Sequence, residues 1–291
     1  MLRGRTAALS AAFVFAAVAV VSAGCGGGST SSALSLDPVA AAATKTQDAG
    51  AAKIRLNMAF TGHGKTVKLR ASGAMDGTST EMTFKLGSLL GLSGLPSAAK
   101  SKLSHGSMQE IALEQDGDYV VYMKIPFLAS HLPGGQPWIK LDISKLGKSA
   151  GVDLGKLMSG SQLQPTDLLS ALKADGAKVH ELGSATIDGA ATTHYRVTVN
   201  LAKALKSKGL TSPLLNRAAA QVKSINENVW IGNDGLVRRV AFVYGMPQGG
   251  SSRMTMDLYD YGTHVDIAAP PSDQVFDMTQ LAQQGLPSIT H

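Results

Sequence analysis

The stretch Lys53-Ile54-Arg55-Leu56-Asn57-Met58-Ala59-Phe60 decides the fold, because its chemical character changes with every residue. Every second residue from Ile54 to Phe60 is large and apolar, whereas the alternate positions Lys53, Arg55 and Asn57 are polar. A period of two predicts a β-strand with one face against a core and the other face in water. The same alternation around Leu69 and Phe84 predicts that neighbouring strands share this arrangement.

The turns between these runs are also readable from the sequence. An Asp-Gly pair, which favours tight hairpins, stands at 76–77, 116–117, 188–189 and 234–235. The pattern predicts about ten or eleven strands, at 51–61, 66–75, 79–87, 107–115, 118–126, 137–142, 178–187, 191–200, 226–232, 236–245 and 252–261. Helices are predicted at 37–47, 166–173, 201–208, 213–224 and 272–284.

A single sheet of this width cannot cover its apolar face with a few short helices unless it curls. We therefore predict an α+β fold built on one strongly curved antiparallel sheet. A curled sheet with an apolar inner side forms a cleft, and small apolar ligands bind in such concave sites. Ordinary packing of a filled core is the alternative interpretation of the same residues.

Methionine is unusually frequent, with 11 residues, whereas aromatic residues make up only 5% of the chain. Methionine adapts to varied apolar shapes, so it suits both an irregular core and a permissive binding surface. The candidate cavity residues share the apolar side of the strands; they are Met58, Phe60, Leu69, Met82, Phe84, Leu113, Val121, Met123, Val197, Phe242, Met254 and Met256. A movable mouth is expected from Leu89, Leu90, Leu92 and Leu95.

The N-terminal residues have the pattern of an export signal. Two cations, Arg3 and Arg5, precede an apolar run that ends in small residues before Cys25, the only cysteine. We expect residues 1–24 to be a signal peptide and Cys25 to receive a diacylglycerol and a further acyl chain such as palmitate. Export without lipidation and an uncleaved membrane anchor are the competing interpretations.

The remaining composition sets the expected organisation. Residues 25–36 are a Gly/Ser tether, residues 37–285 form one domain, and residues 286–291 form a C-terminal tail. The net charge of +6 is scattered along the chain, so no nucleic-acid partner is expected. The expected location is the extracytoplasmic face of the cell membrane, where the chain is held by its lipid anchor.

Catalytic motifs are weak. A GxSxG motif surrounds Ser149, and His180 or His194 with Asp153 or Asp167 would complete a triad on paper. That motif belongs on a parallel sheet between a strand and a helix, which the alternating pattern does not predict. No histidine spacing suits a metal. We expect neither an enzyme nor a cofactor or metal site.

Several motifs follow one another in an order that resembles a known family. The first is Val21-Ser22-Ala23-Gly24-Cys25, which is similar to a lipobox although Ser22 stands where leucine is usual. The others are Pro137-Trp138-Ile139-Lys140-Leu141-Asp142, Thr193-His194-Tyr195, Asp234-Gly235-Leu236-Val237-Arg238-Arg239, and Tyr261-Gly262-Thr263-His264-Val265-Asp266 with Pro270-Pro271. Together they resemble the actinobacterial lipoproteins of the LppX/LprG group, whose fold is similar to that of the LolA/LolB lipoprotein carriers.

The resemblance implies a half-barrel sheet wrapped around helices, with an apolar cavity for the acyl chains of a lipid or glycolipid. It also implies that the chain carries or presents such lipids in the cell envelope, with an envelope transport partner as a possible component. The alternative is a non-catalytic envelope sensor or interaction lipoprotein that has the same sheet and a filled core.

Overall fold

The structure is a computed structural model of the chain. It describes residues 38–62, 64–87, 101, 103–104, 106–125, 129, 132–149, 178–200, 202–203, 206, 216, 220, 224–246 and 250–284. The predictions for the signal peptide, Cys25, the tether, the C-terminal tail, the four mouth leucines and the helix at 166–173 lie outside these residues. The helices predicted at 201–208 and 213–224 also lie largely outside them.

One curved, unclosed sheet dominates the described chain, which confirms the predicted fold class. Its twelve strands lie in the order β12-β6-β5-β4-β3-β2-β1-β11-β10-β9-β8-β7. The strands are β1 (Ala52–Gly62), β2 (Lys65–Asp76), β3 (Ser79–Lys85), β4 (Ser107–Gln115), β5 (Asp118–Lys124), β6 (Trp138–Asp142), β7 (Lys178–Ile187), β8 (Ala190–Asn200), β9 (Ser224–Gly232), β10 (Val237–Met246), β11 (Gly250–Tyr259) and β12 (Val275–Asp277).

Every described pairing is antiparallel except one, between β12 and β6. The sequence predicted β1 to β11 but not β12. It predicted instead a helix over 272–284, and that prediction is wrong. The segment forms a 3₁₀ turn at Ser272–Gln274, then β12, and then a short helix. Val275 and Phe276 are good strand formers, and pairing with β6 satisfies their backbone groups.

Three helices accompany the sheet in the described part of the chain: α1 (Pro38–Asp48), α2 (Ile143–Ser149) and α3 (Thr279–Gln283). Helix α1 confirms the helix predicted at 37–47. It lies against β9 and β10, and the Thr46 hydroxyl accepts a hydrogen bond of 2.9 Å from the Val237 amide. The small buried side chains of Ala40 and Ala42 let the helix approach the sheet closely.

The sheet has an inner and an outer face, and a hairpin end and a loop end. The inner face carries Ile54, Leu56 and Met58 and is partly covered by α1, whereas the outer face carries Lys53 and Arg55. The hairpin end holds the four Asp-Gly turns, at 76–77, 116–117, 188–189 and 234–235. The loop end lies opposite; there β3, β5, β8 and β10 finish, and the β1–β2 turn lies beside them.

The region of β4 to β6 is buried on both faces. On the inner face Ala112, Val121 and Met123 pack with Ile143 of α2. On the outer face a second cluster holds Ile111, Leu113, Val120, Tyr122 and Trp138. Ile267, Ala269 and Val275 pack on that cluster as the chain between β11 and β12 crosses to the sheet edge. The sequence prediction of one wet face is therefore wrong for these strands.

Candidate functional site

Burial along β1 shows how the inner face changes from one end of the sheet to the other. Starting at the hairpin end, Ala52, Ile54 and Leu56 are 1%, 3% and 6% exposed. The next two residues on the same face, Met58 and Phe60, are only half-buried. Along β1 the inner face is thus filled near the hairpin end and less buried near the loop end.

Strands β2 and β10 show the same gradient, whereas β11, which lies between β1 and β10, stays buried toward the loop end at Met254 and Ser252. On β2, Met75 and Ala71 are buried, whereas Leu69, which lies opposite Met58, is half-buried. On β10, Val237 is buried and Phe242 is half-buried. The half-buried side chains lie against the main core cluster and form a continuous apolar surface at the loop end.

Helix α1 explains why the hairpin end is filled. Ala42 belongs to the core cluster, and Val39 packs against it. The helix finishes near the β9–β10 turn, where the stem of Lys45 approaches Gly235. Its eleven residues span only about 16 Å, so one such helix covers a small part of a twelve-stranded sheet.

Two carboxylates interrupt the apolar inner face. Glu110 on β4 lies opposite Met82 on one side and Met123 on the other. Burial among these side chains raises the pKa of Glu110 from its usual value of 4.5 to about 7. The pKa of the nearby Tyr119 is raised to about 12 by burial and by the charge of Glu110.

Glu227 occupies a matching position on β9, opposite Phe242 on β10 and Val197 on β8. Burial also raises the pKa of its carboxyl. Among the residues that the structure describes, neither Glu110 nor Glu227 has an ion pair. Each is therefore a poorly solvated acid in an apolar surface, and a bound molecule would meet it in that environment.

The strand register places most of the predicted cavity residues together on the inner face. Seven of them are buried in it: Met82, Phe84, Val121, Met123, Val197, Met254 and Met256. Four are half-buried: Met58, Phe60, Leu69 and Phe242. The second group is the part of the predicted set that is partly exposed to solvent, whereas Leu89, Leu90, Leu92 and Leu95 lie outside the described residues.

The prediction that Leu113 lines the cavity is wrong. It pairs with Val120, so its side chain lies on the outer face, in the cluster with Tyr122 and Trp138. Residues 111–113 and 120–123 are continuous apolar runs, which are typical of strands buried on both sides. Alternation therefore did not identify the face of Leu113.

Of the residues considered for a catalytic triad, the structure describes Ser149, His180 and His194, and the Ser149 hydroxyl is hydrogen-bonded to neither histidine. The Ser149 hydroxyl lies at the end of α2 and donates to the carbonyl oxygens of Lys145 and Leu146, at 3.1 and 2.9 Å. His194 stacks on Trp230, with ring centroids 4.1 Å apart, and its Nε2 lies 3.0 Å from Asn228 Oδ1. Asp153 and Asp167 lie outside the described residues.

Among the residues that the structure describes, no three histidine, cysteine, aspartate or glutamate side chains come together as metal ligands would. None of the helices in that part of the chain has both the length and the apolarity needed to cross a bilayer.

Comparison of the sequence with known proteins gives one curated relative. It is an uncharacterised 31.2 kDa protein from the rplA-rplJ intergenic region of Streptomyces griseus, which is 28% identical over 261 residues. The match covers 83% of this chain and 78% of the relative. No family model matches the chain.

Solved structures similar to this chain include lipoproteins of the kind that the sequence resembles. The Mycobacterium tuberculosis lipoprotein LppX is 16% identical, with a TM-score of 0.42, over 80% of this chain and 100% of LppX. LprF from Mycobacterium bovis is 11% identical, with a TM-score of 0.41, over 83% of this chain and 99% of LprF. A putative outer membrane lipoprotein-sorting protein domain from Vibrio parahaemolyticus is 10% identical, with a TM-score of 0.29, over 79% of this chain and 93% of that domain.

Proposed function

We propose that this chain is an extracytoplasmic lipoprotein that binds the acyl chains of a lipid or glycolipid on the inner face of its sheet. It is anchored to the cell membrane through Cys25, and it carries or presents its lipid within the cell envelope. The role is one of binding rather than catalysis. The argument for this proposal comes from the sheet itself.

The gradient of burial along β1, β2 and β10 carries the proposal. A filled core has no reason to leave four large side chains of these strands half-buried at the loop end while inner-face residues of the same strands are buried at the hairpin end. The half-buried group is apolar and continuous, as an acyl-binding surface has to be. Burial of acyl surface is worth roughly 25 cal/mol per Å², or about 0.8 kcal/mol for each methylene.

The two buried acids restrict what the surface accepts. A charged headgroup oxygen placed beside Glu110 or Glu227 would be repelled whenever the acid is ionised. Acyl chains, which have no charge, meet no such penalty. We therefore place the chains against the inner face and the headgroup outside it, so that selection is by chain length and shape.

The test compares adjacent residues on opposite faces of β1. Met58→Trp puts a large ring into the proposed acyl site, whereas Ala59→Trp puts the same ring on the outer face. The full chain is extracted from membranes, and non-covalent lipid is measured by native mass spectrometry followed by solvent extraction. We expect stoichiometric lipid in the wild type and the Ala59 variant, and at least a tenfold loss in the Met58 variant.

Circular dichroism of both variants shows whether the sheet is intact. Equal lipid loading in the two variants would contradict the proposed site. A wild-type chain that stays free of non-covalent lipid after incubation with envelope lipids would instead support the sensor or interaction lipoprotein with a filled core.

A further inference from the structure

A recess of about 610 Å³ lies on the outer face near the loop end, away from the proposed acyl site. It is lined by Lys68, Arg70, Thr83, Lys85, Gly87, Ser104, Gly106 and Ser107. Its volume is within the range of about 300–1,000 Å³ that is usual for sites of small molecules. Three of its eight lining residues are cations, and no acidic residue lines it.

The cations are held close together by the strand register. Arg70 on β2 lies directly opposite Lys85 on β3, and Lys68 precedes Arg70 on the same face. Like charges that lie directly opposite on neighbouring strands destabilise a sheet. The acid on the same face of β3, Glu81, lies about 13 Å along the strand from Lys85, given 3.3 Å for each residue.

Cations near the hairpin end form ion pairs with acids. They are Lys53–Asp260 at 2.8 Å, Arg55–Asp188 at 3.1 Å and, from α2 to the start of β5, Lys148–Asp118 at 3.3 Å. By contrast, Lys68 and Arg70 have no ion pair with any acid in the part of the chain that the structure describes. Lys68 and Arg70 therefore bring to the recess positive charge that no acid in the described part of the chain neutralises.

The chemistry of the recess suits a phosphate group. The guanidinium of Arg70 and the ammonium group of Lys68 can supply charge-assisted hydrogen bonds, and the hydroxyls of Thr83 and Ser107 can supply neutral ones. Further cations, Lys124 and Arg253, lie on the outer face toward the loop end, whereas the Asp-Gly turns place acids at the opposite end. Such a polarised charge distribution is attracted to an anionic surface by one end.

We propose that this recess binds the phosphate of an anionic phospholipid headgroup and so holds the loop end of the sheet against the membrane surface. The inference goes beyond the proposed function, because docking on headgroups needs no acyl chain on the inner face. It also places the open end of the inner face next to the bilayer, where a lipid has to enter or leave.

Lysine footprinting of the full, lipid-anchored chain in vesicles tests the proposal. The probe is a water-soluble amine-acylating reagent, and the readout is the modification rate of Lys68 relative to Lys53 by mass spectrometry. Phosphatidylcholine vesicles are compared with vesicles containing 30% phosphatidylglycerol, and phosphatidylcholine vesicles with added inorganic phosphate form a third arm. We expect the relative rate at Lys68 to fall about fivefold with phosphatidylglycerol alone.

Matched variants locate the effect. Arg70→Gln removes one cation of the recess, whereas Arg196→Gln removes an exposed arginine from the outer face of β8, several strands away. We expect the first variant to abolish the protection of Lys68 and the second to keep it. The proposal is overturned by equal protection of Lys53, by equal effects of the two variants, or by full protection from inorganic phosphate alone.

Because the readout is the accessibility of an outer-face lysine, its failure is separate from a failure of acyl loading. A chain without non-covalent lipid can still show the protection, and a loaded chain can lack it.

Discussion

Replacement of Glu110 by glutamine tests the electrostatics of the inner face most directly. The pKa of Glu110 is about 7 in the folded chain, against a usual value of 4.5, because Met82 and Met123 exclude water from its charged form. Each pKa unit corresponds to about 1.4 kcal/mol, so the charge costs the folded state at most about 3 kcal/mol. The side chain keeps some contact with solvent, which lowers the expectation to about 1–3 kcal/mol.

The direction of the pH dependence follows from proton binding. Below about pH 4.5 the carboxyl is protonated in both the folded and the unfolded chain, so the raised pKa has its full stabilising effect there. Between pH 4.5 and 7 the folded chain holds a proton that the unfolded chain has lost. The contribution of Glu110 to the free energy of unfolding therefore falls as the pH rises through about 7.

Urea unfolding at pH 5 and pH 8, followed by the fluorescence of Trp138 and Trp230, measures the effect. Glutamine mimics the protonated acid, so we expect Glu110→Gln to change stability little at pH 5. At pH 8 we expect it to stabilise the chain by about 1–3 kcal/mol. Glu114→Gln, an exposed position on the same strand, is the control. An equal difference from the wild type at both pH values would refute the reasoning.

Four further substitutions, one of them a control, test other parts of the structure by urea unfolding. Leu113→Ala should destabilise the chain by about 2–4 kcal/mol, as for a buried core leucine, yet leave lipid loading unchanged because its side chain lies on the outer face. Gly73→Ala should cost more than about 3 kcal/mol, since its new methyl group would lie 1.8 Å from a carbonyl oxygen of β3, whereas Gly245→Ala, with open space around it, should cost less than about 1 kcal/mol. Asp257→Asn should cost about 1–3 kcal/mol, because it weakens the 2.5 Å charged hydrogen bond from Arg239 to a carboxylate that is only 2% exposed.

The strands were predictable because each carries its own evidence. Alternation from Lys53 to Phe60 places a residue on a face without reference to any other strand, and an Asp-Gly pair marks a hairpin within four residues. These local signals predicted β1 to β11 and the α+β class. They are also why most of the proposed cavity residues lie together on the inner face.

What the sequence did not predict depends on contacts between distant segments. Leu113 is buried on the outer face because residues near Ile267 cross β4 and β5. No local sequence pattern predicts that crossing. Strand β12 is three residues long and depends on β6 for its hydrogen bonds. Both contacts join segments that are far apart in the sequence, so neither can be predicted from one strand alone.

The buried acids were missed although a signal was present. Glu110 has the same parity as Met108 and Ala112, and Glu227 has the same parity as Val229, so each acid occupies an apolar position of its strand. A carboxylate at such a position is either misassigned or functional. A polar residue at an apolar position of the alternation is therefore the signal that identifies Glu110 and Glu227.

The same acids connect the pH to lipid loading. An acyl chain laid over Glu110 or Glu227 would exclude the remaining water and raise the pKa of each carboxyl further. Because a bound chain then favours the protonated acids, loading takes up protons and the affinity for lipid rises as the pH falls from 8 to 6.

We expect about a fivefold gain in affinity over this range, which is what a further rise of about one pKa unit for Glu110, from about 7, gives between pH 8 and pH 6. The measurement is the partition of a fluorescent acyl probe into the full chain at each pH. The double variant Glu110→Gln/Glu227→Gln should bind the probe equally at both pH values, whereas Glu114→Gln should keep the wild-type slope. A wild-type affinity that does not change with pH, or a slope that persists in the double variant, would show that the bound chain does not lie over these carboxyls and would move the acyl site away from this part of the inner face.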